Sequence, residues 1–252
     1  MPTPAELAHA LGNARHHGQS LDATQWASTI QNAAHAYEVQ DAVREAIDAS
    51  APAAVWKSGG PSRTAVLTHA ALLRASVLGS GAVVAPLASG RRIVEAEIAL
   101  KLGRDITPAD AAQLTHENAA ACISAFAPAI EIVDSRWQQG NDCAPLLKLA
   151  DHQSNGALVI GDFVPYRAVD WSAQVCTLTL GSSQQDFTGT HSLGEPTWLL
   201  PIWLRHATRN GHTVAAGTVV TTGTWCGLMP VAAGTQVTAR FQGIGEVSVR
   251  LA

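Results

Sequence analysis

The chain has 252 residues, 47% of them hydrophobic and only 14% charged, with a formal net charge of −4. That is ample material for a buried core and too few charges for a disordered chain. The sequence has no Lys/Arg stripe to follow a nucleic-acid backbone and no apolar run long enough to span a membrane.

Thr3-Pro4, with Glu6 three residues after the cap, predicts a helix from the start of the chain to about Gly18. A second helical pattern covers residues 31–49, with Ala33, Tyr37, Val43 and Ile47 along one face, and Ser50-Ala-Pro52 ends it. Together they make a small N-terminal helical segment, 1–52, set on a β-rich body, 53–252. In the body, glycines separate short extended runs at 53–57, 82–87, 93–100, 129–134 and 157–160. Further runs follow at 175–180, 218–222, 236–241 and 246–251. Three helices interrupt them. One starts at Thr107-Pro108, one is a short piece near Leu146, and one covers 196–210 before Gly211, with Pro201 predicting a kink or a late start. Strict βαβ alternation is absent, so the fold class is α+β rather than doubly wound.

The most informative segment is Arg92-Ile-Val-Glu95-Ala-Glu97-Ile-Ala-Leu100. As a strand it places Val94, Ala96, Ile98 and Leu100 on one face and Ile93, Glu95, Glu97 and Ala99 on the other. Two carboxylates roughly 7 Å apart at Cα on an apolar strand repel and are poorly solvated. A hard dication between them removes both problems, and Mg2+ and Mn2+ favour carboxylate oxygen. The competing reading is an exposed strand face, or acids paired with Arg91 and Arg92. Glu131 also interrupts an apolar run, between Ile130 and Ile132, and calls for a partner: a metal, or a base such as Arg136. Asp134 suits a structural ion pair. Lys57 ends an apolar strand at the Ser58-Gly59-Gly60 turn, where its ammonium can point into a pocket or into solvent. Thr221-Thr-Gly223-Thr224 runs into a glycine-flanked loop whose backbone N–H groups, with the Thr224 hydroxyl, can grip a carboxylate or simply make a turn. The ten histidines form no metal signature, and Gly-Ser-Ser-Gln184 is a turn rather than a nucleophile elbow. Cys122, Cys143, Cys176 and Cys226 lie far apart with no leader before them, which predicts free thiols and a cytoplasmic setting.

In this order the segments resemble the 2-oxopent-4-enoate (2-hydroxypenta-2,4-dienoate) hydratase and 4-oxalocrotonate decarboxylase family of the fumarylacetoacetate hydrolase-like superfamily. The matching stretches are Trp56-Lys57-Ser-Gly59, Val94-Glu95-Ala-Glu97-Ile98 and Pro128-Ala-Ile-Glu131-Ile-Val-Asp-Ser-Arg136. Leu149-Ala-Asp151, Ser154-Asn-Gly156, Leu193-Gly-Glu-Pro196, Thr222-Gly-Thr224 and the tail from Phe241 to Val249 continue the likeness over nearly the whole chain. The resemblance implies a mixed β-roll body of the fumarylacetoacetate hydrolase C-terminal type carrying a small N-terminal helical cap. It also implies Mg2+ or Mn2+ on Glu95, Glu97 and Glu131, with Lys57 as the active-site lysine. Ser58, Gly59, Ser154, Gly223 and Thr224 are the expected substrate-binding residues. Family hydratases carry an acid in the segment that here reads Thr68 to Ser76, which has none, and Asp151 or a metal-bound hydroxide is the expected catalytic replacement. The implied activity is hydration of a small 2-oxo-enoate to a 4-hydroxy-2-oxo acid. Its rivals are a decarboxylase, an acylpyruvate hydrolase and a non-catalytic metal-binding paralogue. A homo-oligomer, with association to a decarboxylase or hydratase partner, completes the expectation.

Overall fold

The computed structural model describes residues 2–48, 52–85 and 90–252. The ends of the expected second helix and of the expected strand at 82–87 fall outside the described residues. Five helices are present among the described residues: α1 (Pro4–His17), α2 (Ala33–Asp48), α3 (Pro108–Gln113), α4 (Pro145–Ala150) and α5 (Leu200–Ala207). The first strands are β1 (Val55–Gly59), β2 (Thr68–Ala71), β3 (Val77–Gly79), β4 (Ala82–Val84) and β5 (Ile93–Leu102). Next come β6 (Ile123–Val133), β7 (Asn155–Ile160), β8 (Val164–Pro165), β9 (Val175–Leu180) and β10 (Ser183–Thr188). The chain closes with β11 (Val219–Thr221), β12 (Met229–Pro230), β13 (Gln236–Phe241) and β14 (Gly245–Leu251).

Two sheets form the body. The larger runs β2-β1-β11-β5-β6-β7-β3, with β12 added to β5 and β8 to β6, and the smaller runs β10-β9-β13-β14-β4. The long antiparallel ladder between β5 and β6 is the spine of the molecule. Alternation along β5 follows its sequence: Val94, Ala96, Ile98 and Leu100 are all 0% exposed and enter the main core. There they meet Phe126 and Ile130 of β6 and Leu178, Val237, Phe241 and Val249 of the second sheet. The opposite face of β5 carries the acids.

The N-terminal helices do not stand apart from the body. Leu7 and Leu11 of α1 and Val39 and Val43 of α2 share one cluster with Trp137, Leu147 and Leu149. The start of α1 is built as its sequence dictates: the Thr3 hydroxyl accepts from the Glu6 N–H, Glu6 accepts from the Thr3 N–H, and Gly18 closes the helix at φ 61°. The helix expected over 196–210 is split into a 3-10 turn, Pro196–Leu199, and α5, whose first turn holds Pro201. The proline's missing N–H is harmless there. The strand β10 was not expected, because its residues are polar and exposed and give no apolar alternation. It is an edge strand with little to bury. No helix among the described residues is long and apolar enough to cross a membrane.

Candidate functional site

The register of β5 on β6 places Glu95 directly opposite Glu131, with Glu97 two residues further along the same face. Ligand oxygens of Glu95, Glu97 and Glu131 all lie within 4.8 Å of one another. Glu97 is 2% exposed and Glu131 is fully buried. Lys57 reaches this cluster from β1, three places along the sheet from β6 (β1-β11-β5-β6). In a flat sheet at about 4.8 Å per strand the two backbones would lie at least about 14 Å apart. The Lys57 Nζ nevertheless donates to Glu131 Oε1 at 2.5 Å, so the curl of the sheet brings the inner-face side chains together.

Charge in this setting is expensive. Burial, followed by the charge of Glu131, raises the Glu95 carboxyl to about 7. Burial and then the charges of Glu131 and Glu95 raise Glu97 to about 8. Burial draws the Lys57 ammonium down, but Glu131, Glu95 and Glu97 together outweigh it and hold it above its ordinary value. One lysine cannot balance three acids, and Glu131 Oε2 is buried with no hydrogen-bond partner. Three convergent carboxylates, surplus negative charge and an orphaned oxygen are the donor set that a hard divalent cation fits.

Lys57, Thr68, Glu95, Glu97, Gln153 and Ser192 line a cavity of about 330 Å³. An adjoining cavity of about 540 Å³ shares Thr68, Glu95 and Gln153 and adds Leu149, Ser154 and Leu228. A cavity of about 570 Å³ near Trp56, Arg209 and His212 carries none of the three acids, so size alone does not locate the chemistry.

The sequence-predicted residues divide around this cavity. Lys57, Gly59, Gly223 and Thr224 line the inner part and Ser154 the outer part. The Ser154 hydroxyl is buried without a partner. Ser58 also lines the inner part, with its buried hydroxyl bonded to His69 Nδ1 at 2.8 Å. Strand alternation explains this, because Trp56 and Ser58 share the buried face of β1 opposite Lys57. The loop after β11 differs from expectation: the Gly223 N–H donates to Glu97 Oε2 at 3.1 Å, and the Thr224 hydroxyl donates to the Gly227 carbonyl at 3.2 Å and accepts from the Cys226 N–H at 3.3 Å. Gly223 thus holds an acid, and Thr224 braces its own loop.

Asp151 requires the largest correction. It is fully buried and does not line either cavity. Its carboxylate accepts from the Arg136 N–H at 2.9 Å, from Arg136 Nε at 2.6 Å and from Arg15 Nη2 at 3.3 Å. A carboxylate so occupied is a structural counter-ion, and it replaces the expected catalytic role. Asp134 lies 3.7 Å from Arg136, in the structural pairing expected of it.

Three residues that the sequence did not single out, Thr68, Gln153 and Ser192, do enter the site. Gln153 sits in a run of three left-handed residues, His152 (φ 50°), Gln153 (φ 54°) and Ser154 (φ 58°). Left-handed backbone costs a non-glycine residue roughly 1–2 kcal/mol, and such strain gathers where a site needs it. Here the run turns the Gln153 carbonyl toward Lys57 Nζ (3.3 Å) and its side-chain amide toward the Thr68 hydroxyl. Three successive non-glycine residues carry no left-handed signature in sequence.

The sequence model for the family described as Fumarylacetoacetate (FAA) hydrolase C-terminal matches residues 27–252. The chain belongs to that family. Among curated relatives of this FAA hydrolase family member, 2-keto-4-pentenoate hydratase 1 of Dechloromonas aromatica (strain RCB) is 32% identical over 182 residues. That alignment covers 69% of this chain and 66% of the relative, slightly under two thirds of its length. A 4-oxalocrotonate decarboxylase of Pseudomonas sp is 28% identical over 156 residues, 62% of this chain and 59% of that protein. The solved structure of 4-oxalocrotonate decarboxylase from Pseudomonas putida G7, complexed with magnesium and adipate, superposes with a TM-score of 0.83 at 22% identity. It covers 99% of this chain and 97% of that one, which establishes the FAA hydrolase-type fold.

Proposed function

We propose that the chain is a Mg2+- or Mn2+-dependent hydro-lyase. It adds water to 2-hydroxypenta-2,4-dienoate (2-oxopent-4-enoate), or a similar 2-oxo-enoate, to give a 4-hydroxy-2-oxo acid. The observation that carries this reading is the cluster of Glu95, Glu97 and Glu131, of which Glu95 and Glu97 line one cavity together with Lys57. Relatives named as 2-keto-4-pentenoate hydratases, and magnesium in the solved decarboxylase of the same fold, support it.

Glu95, Glu97 and Glu131 would hold the metal, whose contribution is Lewis-acid stabilisation of negative charge on the substrate's oxygens. Lys57 is held by Glu131 and by the Gln153 carbonyl, with its ammonium at the cavity wall. In its protonated form it orients the substrate and gives a proton to carbon, a contribution of about 10²–10⁴ in rate for a positioned acid. The Thr68 hydroxyl, the Gln153 amide and the Ser192 hydroxyl are neutral groups on the same wall, suited to orienting a substrate or a water molecule.

A second reading, decarboxylation of a 2-oxohex-3-enedioate, is favoured by one specific observation. Among the described residues lining the two adjoining cavities, Glu95 and Glu97 are the only carboxylates, and Thr68 is the only contribution from residues 68–76. No further acid is there to activate water, whereas loss of CO2 needs only charge stabilisation. The test is to incubate the protein plus Mg2+ with each substrate and identify the products by mass. Gain of one water by the dienoate supports hydration. CO2 release from the enedioate, with no water added to the dienoate, supports the second reading against the first.

A further inference from the structure

Glu131 is held on one oxygen only. Its Oε1 accepts from Lys57 Nζ at 2.5 Å and from the Asn155 side-chain amide at 3.1 Å, while Oε2 is buried without a partner. Two donors on one oxygen fix the rotation of the carboxylate and leave the other oxygen free to meet a cation.

Asn155 begins β7 opposite Val133 of β6, at the irregular end of that ladder, and two arginines hold it there as well. Its main-chain carbonyl accepts from Arg136 Nη1 at 2.9 Å and from Arg15 Nη1 at 3.2 Å. Arg136 is local, three residues beyond the end of β6. Arg15 is not: it comes from α1, 140 residues away in sequence and outside the span 27–252 of the family match. Its side chain is only 11% exposed. Ordering and desolvating an arginine is costly, and charged side chains are seldom placed inside without a purpose. Asp151 balances the Arg15 charge, with Oδ1 3.3 Å from Nη2, and the other terminal guanidinium nitrogen, Nη1, is given to the Asn155 carbonyl.

We propose that Arg15 is a positioning residue of the metal centre, acting through Asn155 on the Glu131 carboxylate. The helix α1 is then a working part of the site and not only a packed appendage. The inference rests on the reading of Glu95, Glu97 and Glu131 as metal ligands.

The test titrates Mn2+ into the full-length wild type, Asn155→Ala, Arg15→Met and the double variant at 25 °C. Free ion is followed by electron paramagnetic resonance, and each variant's melting temperature is recorded alongside. Loss of a group that orients a ligand weakens metal binding about 10–100-fold, and that is the loss expected of each single variant. The double variant should bind no more weakly than Asn155→Ala alone, because the two residues act in series. Asn155→Ala keeps the main-chain carbonyl and therefore both arginine contacts. If Arg15→Met does not fold, Arg15→Lys takes its place, since an ammonium cannot reproduce the forked contact. A lowered melting temperature with unchanged Mn2+ affinity in the arginine variant overturns the proposal. Glu97→Gln separates this failure from the larger one. If Glu97→Gln loses Mn2+ and the others do not, only the positioning role falls. If Glu97→Gln binds as the wild type does, the metal reading itself falls.

Discussion

Glu95 and Glu131 face each other directly across the β5–β6 ladder, a pairing in which like charges repel. Their burial makes the repulsion stronger than at a surface, and Lys57 offsets only part of it. The site is therefore destabilising to the empty protein and complete only with more positive charge.

Replacing one acid should accordingly stabilise the metal-free protein. At pH 8, where the Glu95 carboxyl raised to about 7 is mostly ionised, Glu95→Gln removes a directly opposed charge worth about 1 kcal/mol, which is a rise of roughly 2–4 °C in melting temperature for a chain of this size. The same variant should lose the additional rise that Mg2+ gives the wild type. Thermal melts with chelator and with Mg2+ check both effects. A Glu95→Gln variant less stable than the wild type in chelator would contradict the electrostatic account.

Metal affinity should depend on pH in a defined direction. With Glu95 raised to about 7 and Glu97 to about 8, both carboxyls carry protons in the empty site at pH 6. A cation must displace those protons, so affinity falls as pH drops from 8 to 6 and binding releases protons. Calorimetry in two buffers of different ionisation heat measures the release directly. Equal affinity at pH 6 and 8 would show that these carboxyls are not the ligands.

Histidines set the acid limit of the fold. Burial lowers His69 to about 3, His191 to about 4 and His206 to about 2, and carries His152 well below its ordinary value. Because the folded values lie below the unfolded one, the unfolded chain takes up protons first as pH falls. The stability these groups contribute is complete above about 6.5 and is lost progressively as pH falls toward their folded values. Each costs about 2 kcal/mol at pH 5. The urea midpoint should therefore fall steeply between pH 7 and pH 5, and a flat profile would mean these rings are solvated.

Asp151 should behave as a structural residue. Breaking a buried ion pair from one side costs about 3–5 kcal/mol, or roughly 10 °C or more in melting temperature. Asp151→Asn is expected to lower stability by that order. Lys57→Ala also breaks a buried pair, with Glu131, and should lower melting too, but it should cut the turnover of the folded enzyme at least about 100-fold. Stability and turnover measured on both variants separate the two roles, and a stable but inactive Asp151→Asn would restore the catalytic reading.

The contrast between Lys57 and Asp151 shows what the sequence could and could not reveal. Glu95, Glu97 and Glu131 stood out because alternation along a strand is local, and an acid in an apolar run is conspicuous on either side of it. Lys57 stood out through the glycine turn after it, but for all four residues the pattern left solvent or ion-pair readings open, and the family resemblance chose among them. Asp151 was misread because its partners Arg136 and Arg15 lie 15 and 136 residues away, and no local pattern announces those contacts. Gln153 was missed for a related reason, since its place in the site depends on a left-handed run formed by ordinary residues. Most body strands with apolar alternation were found to within about two residues at each end, but β6 begins at Ile123, well before the expected 129; β2 and β3 were missed, and β10 was too polar to register.

The most direct test of the central claim couples the three acids to the reaction. Metal-free wild type and Glu97→Gln are each given 2-hydroxypenta-2,4-dienoate with chelator and then with Mg2+, and water addition is followed by product mass. The account predicts no product in chelator, water addition by the wild type once Mg2+ is supplied, and little or none by Glu97→Gln under the same conditions. Equal water addition with and without metal, or by Glu97→Gln as fast as by the wild type, would contradict it.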